Sequence, residues 1–377
     1  MKLIHLSDLH LGKRLNEYSL IEDQEYMLSR VLEIIDRESP NGVLIAGDIY
    51  DKSIPTAEAI RLFDDFITGL SERNIPVFVI SGNHDSAERL SFGSRLMGAS
   101  GIYFSGVYEG KTPSISLYDD NGEVRIYMLP FFKPQQARRF HGDGIESYTD
   151  AIRASIEAME IDPSVRNVLI AHQFVTGSGR SDSEEISVGG ADEVDISVFG
   201  SFDYVALGHL HRPQNCGDER VRYCGSPLKY SFSEAGDVKS VTVVELAEKG
   251  NLTVRTVPIP AMRDMVELRG KYDELMQISF YEGTSYREDY VRITLTDEND
   301  VPDAIGRLRV VYRNLMKLDY DNERTRKGAD EFELPVEKRT PFELFSGFFE
   351  MQNNKPMSKE QADLAMELIE DIWEGEL

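Results

Sequence analysis

The stretch KLIHLSDLHLG at residues 2–12 sets the reading of the whole chain. Lys2–Leu6 is an aliphatic run of strand length, and it stops at once on Asp8-Leu9-His10, which offers a carboxylate and an imidazole. The same construction recurs four times. Val43–Ala46 runs into Gly47-Asp48, Val77–Ile80 into Gly82-Asn83-His84-Asp85, Val168–Ala171 into His172, and Tyr204–Leu207 into Gly208-His209-Leu210-His211. Helical spacing fills the intervals over Ile21–Arg37, with Leu28, Val31, Leu32 and Ile35 on one face, and over Thr56–Ser71. Strands alternating with helices in this way predict an α/β domain with much parallel pairing over about the first 260 residues. Parallel strands bring their carboxyl ends to one edge, so the five polar endings are expected to meet in one crevice.

Five of the seven histidines fall in these endings. A set of carboxylate, amide oxygen and imidazole without thiolate suits divalent metals such as manganese, iron or zinc and does not select among them. More than four ligands implies more than one ion. Two ions about 4 Å apart need a shared carboxylate, and together they activate a water and neutralise a phosphate. Asp48 is the natural bridge. Taken singly, an Asp-x-His or an Asn-His pair is more often a structural hydrogen-bonding group than a ligand. Five such endings in order after five strands are another matter, because buried charges and imidazoles are costly to hold together without metal.

Forty-one basic residues against 66 acidic give a net charge of −25, which argues against nucleic acid held by surface charge alone. Cys216 and Cys224 make no disulfide framework; they flank a turn, CGDERVRYC, where they could face each other as free thiols. No apolar run approaches the roughly 20 residues of a membrane span, and Asp8 and His10 interrupt the only stretch resembling a signal sequence, so a cytoplasmic protein is expected. No strand is followed by G-x-x-x-x-G-K, so ATP hydrolysis is not expected; the polar stretch TGSGRSDSEE at 176–185 reads as a loop beside the crevice. His5, inside the first strand, reads as a structural histidine. Lys13, Arg14, Arg89, Arg180, Arg212 and Lys229 flank the motif loops and could meet a phosphate backbone, although most lone surface cations are only solvated.

From about Met265 to Tyr320 the pattern is βαβαβ, with strands at 265–268, 290–295 and 315–320 and helices at 272–279 and 302–314. Residues 322–340 are charged and read as a linker, and 341–377 carry two amphipathic helices. The first presents Phe342, Phe345 and Phe349. The second, capped by Ser358 with Gln361 three residues on, presents Ala365, Leu368, Ile369 and Ile372. These faces serve either packing onto their own domain or docking onto a partner helix.

The order D-x-H, G-D, G-N-H-D, lone H and G-H-x-H resembles the calcineurin-like metallophosphoesterase superfamily. Within it, SDLHLG (7–12), GDIYD (47–51), SGNHDS (81–86), ALGHLH (206–211) and GSPLKYSF (225–232) resemble the SbcD family of bacterial Mre-type DNA repair nuclease subunits. The resemblance implies a sandwich of two mixed sheets flanked by helices over 1–260. A small α+β capping domain over 261–321, the linker, and C-terminal helices that dock an ATPase would follow. It implies one metal on Asp8, His10, Asp48 and His211, and a second on Asp48, Asn83, His172 and His209. His84 would protonate the leaving oxygen, and Asp51 would orient His84. It further implies two divalent ions, manganese foremost with iron, zinc or magnesium as substitutes. The expected function is DNA repair and recombination: 3′–5′ exonuclease action on duplex ends, single-strand endonuclease action and hairpin opening, by a homodimer in a heterotetramer with an SbcC-type ATPase.

The same metal site would also serve a small-molecule or phosphoprotein phosphatase. GDIYDKS (47–53), however, lacks the arginine that phosphoprotein phosphatases carry directly after GDxxD. A non-catalytic scaffold for an ATPase should have lost at least one ligand, and here every ligand position is filled.

Overall fold

A computed structural model describes residues 1–179, 181–182, 184, 193–322, 340–353 and 356–374. The chain divides into two units, Met1–Met265 and Val266–Leu377. The main strands of the first are, in chain order, β1 (Lys2–Leu6), β2 (Gly42–Ala46), β3 (Val77–Ile80), β4 (Ile102–Ser105), β5 (Ser114–Asp119), β6 (Gly122–Met128), β7 (Arg166–His172), β8 (Tyr204–Gly208), β9 (Gln214–Cys216), β10 (Asp218–Tyr223), β11 (Ser240–Leu246) and β12 (Leu252–Pro258). They form two six-stranded sheets, ordered β12-β11-β1-β2-β3-β4 and β9-β10-β8-β7-β6-β5. Each is mixed. β1 to β4 run parallel while β11 and β12 run antiparallel at one side; β6, β7, β8 and β10 run parallel between two antiparallel edge strands.

Successive strand residues point to opposite faces, which shows directly in the core. Leu3, Leu44, Ala46, Phe78 and Ile80 from the first sheet pack against Ile126, Met128, Val168, Ile170, Tyr204 and Ala206 from the second. The alternate residues of the second sheet, among them Leu169, Ala171, Val205 and Leu207, cover its outer face together with Ala137, Ile152 and Ile156 from the helices Pro134–His141 and Tyr148–Glu157. Strands buried on both faces read as continuous apolar runs, and this is why all five motif strands look alike in sequence. The five are not in one sheet, as the expectation of a single crevice edge implied: β1, β2 and β3 belong to the first, β7 and β8 to the second. The shared edge is that of two stacked layers.

In the second unit, β13 (Met265–Gly270), β14 (Tyr290–Leu295) and β15 (Asn314–Tyr320) form a three-stranded sheet in chain order, with β14 and β15 parallel. Tyr272, Leu275, Val291, Ile293, Leu308, Tyr312 and Leu315 make its core. The helix expected over 272–279 is two short ones, Tyr272–Leu275 and Ile278–Tyr281, and the one expected over 302–314 is confined to Ala304–Arg309, because Tyr312 turns inward and Asn314 already begins β15. The linker expected over 322–340 lies, apart from its two end residues, outside the described residues.

Helices then run over Pro341–Asn353 and Lys359–Glu374, each opened by a reciprocal cap. Glu343 N–H donates to Thr340 Oγ1 (3.2 Å) and Thr340 N–H to Glu343 Oε2 (2.7 Å); Gln361 N–H donates to Ser358 Oγ (3.3 Å) and Ser358 N–H to Gln361 Oε1 (2.9 Å). Leu344, Phe345, Phe348, Leu364, Met366 and Leu368 are exposed. Among the described residues no helix is long and apolar enough to cross a membrane.

Candidate metal centre

The loops after the motif strands are knitted to one another before any side chain is considered. Asp8 N–H donates to Gly47 O (3.1 Å), His10 N–H to Asp48 O (3.0 Å) and Leu11 N–H to Ile49 O (2.9 Å), which lays the first loop along the second. The turns are tight enough that Asp8, His10, Asp48 and His209 adopt left-handed backbone, with φ of 53°, 42°, 50° and 105°. Each such non-glycine residue costs on the order of 1–3 kcal/mol and persists only where its surroundings overdetermine it. Two glycines make the close approach feasible. A Cβ on Gly82 would run into the Asp48 carboxyl, and one on Gly208 would run into Ala46 O and lie 2.7 Å from His172 Nδ1.

Carboxylates then fix these loops through backbone amides. Asp85 accepts from Ile49 N–H (3.1 Å), Tyr50 N–H (3.0 Å) and Gly82 N–H (2.9 Å); Asp48 Oδ1 accepts from His84 N–H (2.9 Å), and Asp8 Oδ1 from His209 N–H (3.0 Å). The last bond crosses from one sheet to the other. Asp8, His10, Asp48, His172 and His211 are all buried.

The side chains converge as acceptors. His172 Nδ1–H donates to Ala46 O (2.8 Å), so its Nε2 is the nitrogen that faces Asp48 Oδ2 at 3.3 Å and Asn83 Oδ1 at 3.0 Å. His209 Nδ1 comes within 3.1 Å of the same Asn83 oxygen. Across Asp48, His10 Nε2 lies 3.7 Å from Oδ2 and 3.1 Å from His211 Nε2. Acceptors packed this closely repel unless a proton or a cation sits among them, so the donor set fits divalent cations. Among the described residues, Asp8-His10-His211, His10-Asp48-His84 and Asp8-Asp48-His172 each bring their ligand atoms within 4.8 Å of one another.

The charge states follow from burial and from these neighbours. Burial opposes the charge on Asp48, yet the His172 ring beside it holds its carboxyl well below the usual range. Burial likewise opposes the charge on His172, and Asp48 overrides it, raising the imidazole to about 9. Asp8 is pushed up to about 6 by burial, as is Asp85. Burial also holds His10 well below its ordinary value and His209 at about 3. Without metal, one proton shared by Asp48 and His172 occupies the place where a cation fits.

His84 stands at the rim, its ring edge-on to that of His10 with centroids 4.9 Å apart. Its Nδ1–H donates to the backbone carbonyl of Asp51 (3.1 Å), which leaves Nε2 free of that bond. The carboxylate of Asp51 lies elsewhere, accepting from Lys13 Nζ at 2.7 Å and facing His10 Nδ1 at 3.9 Å.

Of the flanking cations, Lys13 is thus engaged, Arg212 pairs with Asp237 (3.1 Å), Lys229 bonds Ala235 O (2.6 Å) and Asp264 (2.7 Å), and Arg180 lies outside the described residues. Neither cysteine faces the other: Cys224 Sγ lies 3.0 Å from Ser7 Oγ, and Cys216 Sγ lies 3.2 Å from Ser178 Oγ. His5 is fully buried against Tyr204, its Nδ1 2.9 Å from the hydroxyl. The sequence pattern assigns no role to Asp85, Glu184, Glu234 or Lys239. Asp85 was within reach, because it closes the GNHD ending; the other three meet the site across long sequence separations with no spacing to signal it.

A family model described as calcineurin-like phosphoesterase matches residues 1–213, and one described as type 5 capsule protein repressor C-terminal domain matches residues 261–353. The chain is 32% identical over 385 residues to a protein from Staphylococcus epidermidis named as the SbcD component of the SbcCD nuclease, with 100% of both chains covered. Among solved structures, a dimetal phosphatase from Danio rerio is 13% identical at a TM-score of 0.40, covering 69% of this chain and 96% of that one. The phosphoesterase Yfce from E. coli is 14% identical at 0.28, covering 69% and 100%. Both superpositions are loose.

Proposed function

From the premise that the chain belongs to the calcineurin-like phosphoesterase family and, over its full length, to the SbcD nucleases, we propose that it hydrolyses phosphodiester bonds in DNA at two metal ions. The observation that carries this reading is the convergence of Asp48, Asn83, His172 and His209 on one side and Asp8, His10 and His211 on the other, around a single shared carboxylate. One ion is assigned to Asp8, His10, Asp48 and His211, the other to Asp48, Asn83, His172 and His209. These residues would hold two divalent cations, manganese foremost, which would offset charge on the phosphate oxygens and lower the pKa of a bound water.

The chain's own residues do the rest. The strained loops hold the ligands rigid, which spares the reaction any reorganisation of the site. His84, with Nδ1–H anchored on Asp51 O, keeps Nε2 for the substrate, and a proton carried there passes to the leaving oxygen as the ester bond breaks. Asp51 therefore acts on His84 through its backbone carbonyl, while its carboxylate neutralises Lys13.

Duplex ends, single strands and hairpins are the proposed substrates, attacked in the cytoplasm together with an SbcC-type ATPase that docks on 341–377. The partner's surface would compensate the −25 charge of this chain. The module over 261–321 is assigned to capping the nuclease domain. A homodimer is supported by an apolar groove of about 550 Å³ lined by Phe63, Ile67, Leu90, Phe92 and Phe104, of which Phe92 is 83% exposed; Leu96, four residues on, is 82% exposed.

The test is degradation of end-labelled linear duplex DNA with Mn²⁺, comparing wild type with His84→Ala, with and without the ATPase and ATP. Wild type should cleave and be stimulated by the partner. His84→Ala should retain its metals and lose about 10²- to 10⁴-fold in turnover. Brisk phosphomonoester hydrolysis without DNA cleavage would replace this reading by a phosphatase.

A further inference from the structure

His211 is held from behind by an ion pair that belongs to neither metal. Glu234, fully buried, places Oε1 3.6 Å from His211 Nδ1, on the opposite side of the ring from the nitrogen that meets His10. Its other oxygen, Oε2, accepts from Lys239 Nζ at 2.6 Å. The Lys239 ammonium is buried too, and it also donates to His211 O (2.9 Å) and Ser226 Oγ (3.0 Å). One lysine thus grips both the backbone of the ligand and the carboxylate behind its ring. On the amide side, His211 N–H donates to Glu184 Oε1 at 2.6 Å.

A buried charge pair of this kind is a poor device for stability, because desolvation of both ions offsets most of their attraction. It is a good device for aiming an imidazole. A carboxylate behind one ring nitrogen keeps the proton there, so that the other nitrogen presents its lone pair. We propose that Glu234 and Lys239 are positioning residues for the metal held by His211, with Glu234 fixing its tautomer and ring plane and Lys239 fixing Glu234 and the His211 backbone together. Glu234 lies 23 residues beyond His211 and Lys239 five further on, in the segment that leads into β11. The chain therefore returns to the site after its last ligand in order to brace it.

This assignment rests on the two-metal reading above, and the test separates the two. Mn²⁺ is titrated calorimetrically into the metal-free full-length chain, wild type and Glu234→Gln. Wild type should take up two ions. Glu234→Gln should take up two as well, with one of them bound about 10- to 100-fold more weakly and the other unchanged. Duplex cleavage by the variant should fall at low Mn²⁺ and recover at high Mn²⁺, which a merely structural lesion would not do. Because the single change leaves the Lys239 ammonium buried without its counter-ion, Glu234→Gln combined with Lys239→Met removes both charges, and it should show the same selective weakening at a wild-type melting temperature.

Two unchanged affinities in both variants would overturn the assignment and leave the two-metal reading standing. Equal loss of both ions with a lowered melting temperature in the double variant would also overturn it, as a structural role. A wild-type chain that took up no Mn²⁺ would bring down both.

Discussion

At the residue scale the decisive group is His172. Its imidazole, raised to about 9 by Asp48 against the effect of burial, is protonated at neutral pH in the metal-free protein. The sign of the linkage is that of a raised histidine: the stability it lends the metal-free fold is fully present below its ordinary 6.5 and is lost as pH rises through about 9. A cation entering between Asp48 and Asn83 must displace that proton. Mn²⁺ uptake is therefore expected to release a proton at pH 7.5, and affinity should climb by about tenfold per pH unit toward pH 9. Calorimetry in two buffers of different ionisation enthalpy measures the release directly, and a proton count near zero would show that His172 is already neutral. Asp8, raised to about 6 by burial, adds a second proton only below that pH.

At the level of elements, the site depends on how closely the end of β8 approaches β2. A methyl group on Gly208 would strike Ala46 O and crowd His172. Gly208→Ala is accordingly expected to cost about 3 kcal/mol or more, with loss of Mn²⁺ at the His172 position; thermal melting and metal analysis of the purified variant check both. What could be read from sequence follows the same logic. The ligands were legible because five apolar runs in succession each end on carboxylate, amide or imidazole, a recurrence that no single ending would have signalled. The division of β1, β2 and β3 from β7 and β8 was not legible, because strands covered on both faces carry the same aliphatic signature in either sheet. Nor was the role of the Asp51 backbone, since a carbonyl oxygen belongs to every residue and its use depends only on where the turn places it. Glu234 and Lys239 escaped for a related reason. A glutamate and a lysine five apart look like any solvated pair until the fold buries them.

For the whole molecule, the exposed apolar patch is the feature least expected of an acidic monomer. Phe92, between the short helical turns Ala87–Leu90 and Ser94–Met97, lines a groove with Phe63 and Phe104, and Leu96 stands exposed on the second turn. Phe92→Glu with Leu96→Glu should convert a dimer to a monomer in sedimentation velocity while leaving Mn²⁺ stoichiometry unchanged; a wild-type chain that sediments as a monomer at micromolar concentration would rule the dimer out. The layered construction of the centre bears on stability as well as on affinity. With His209 N–H bonded to Asp8 and His172 Nδ1–H to Ala46 O, the two sheets meet through their ligands. An ion held by Asp48 and His172 would therefore draw its ligands from both layers, so that its binding adds to the packing between the sheets. The metal-loaded chain is accordingly expected to melt above the metal-free one. The centre would thus act as a clasp between the layers, and the ion that serves the chemistry would also hold the domain shut.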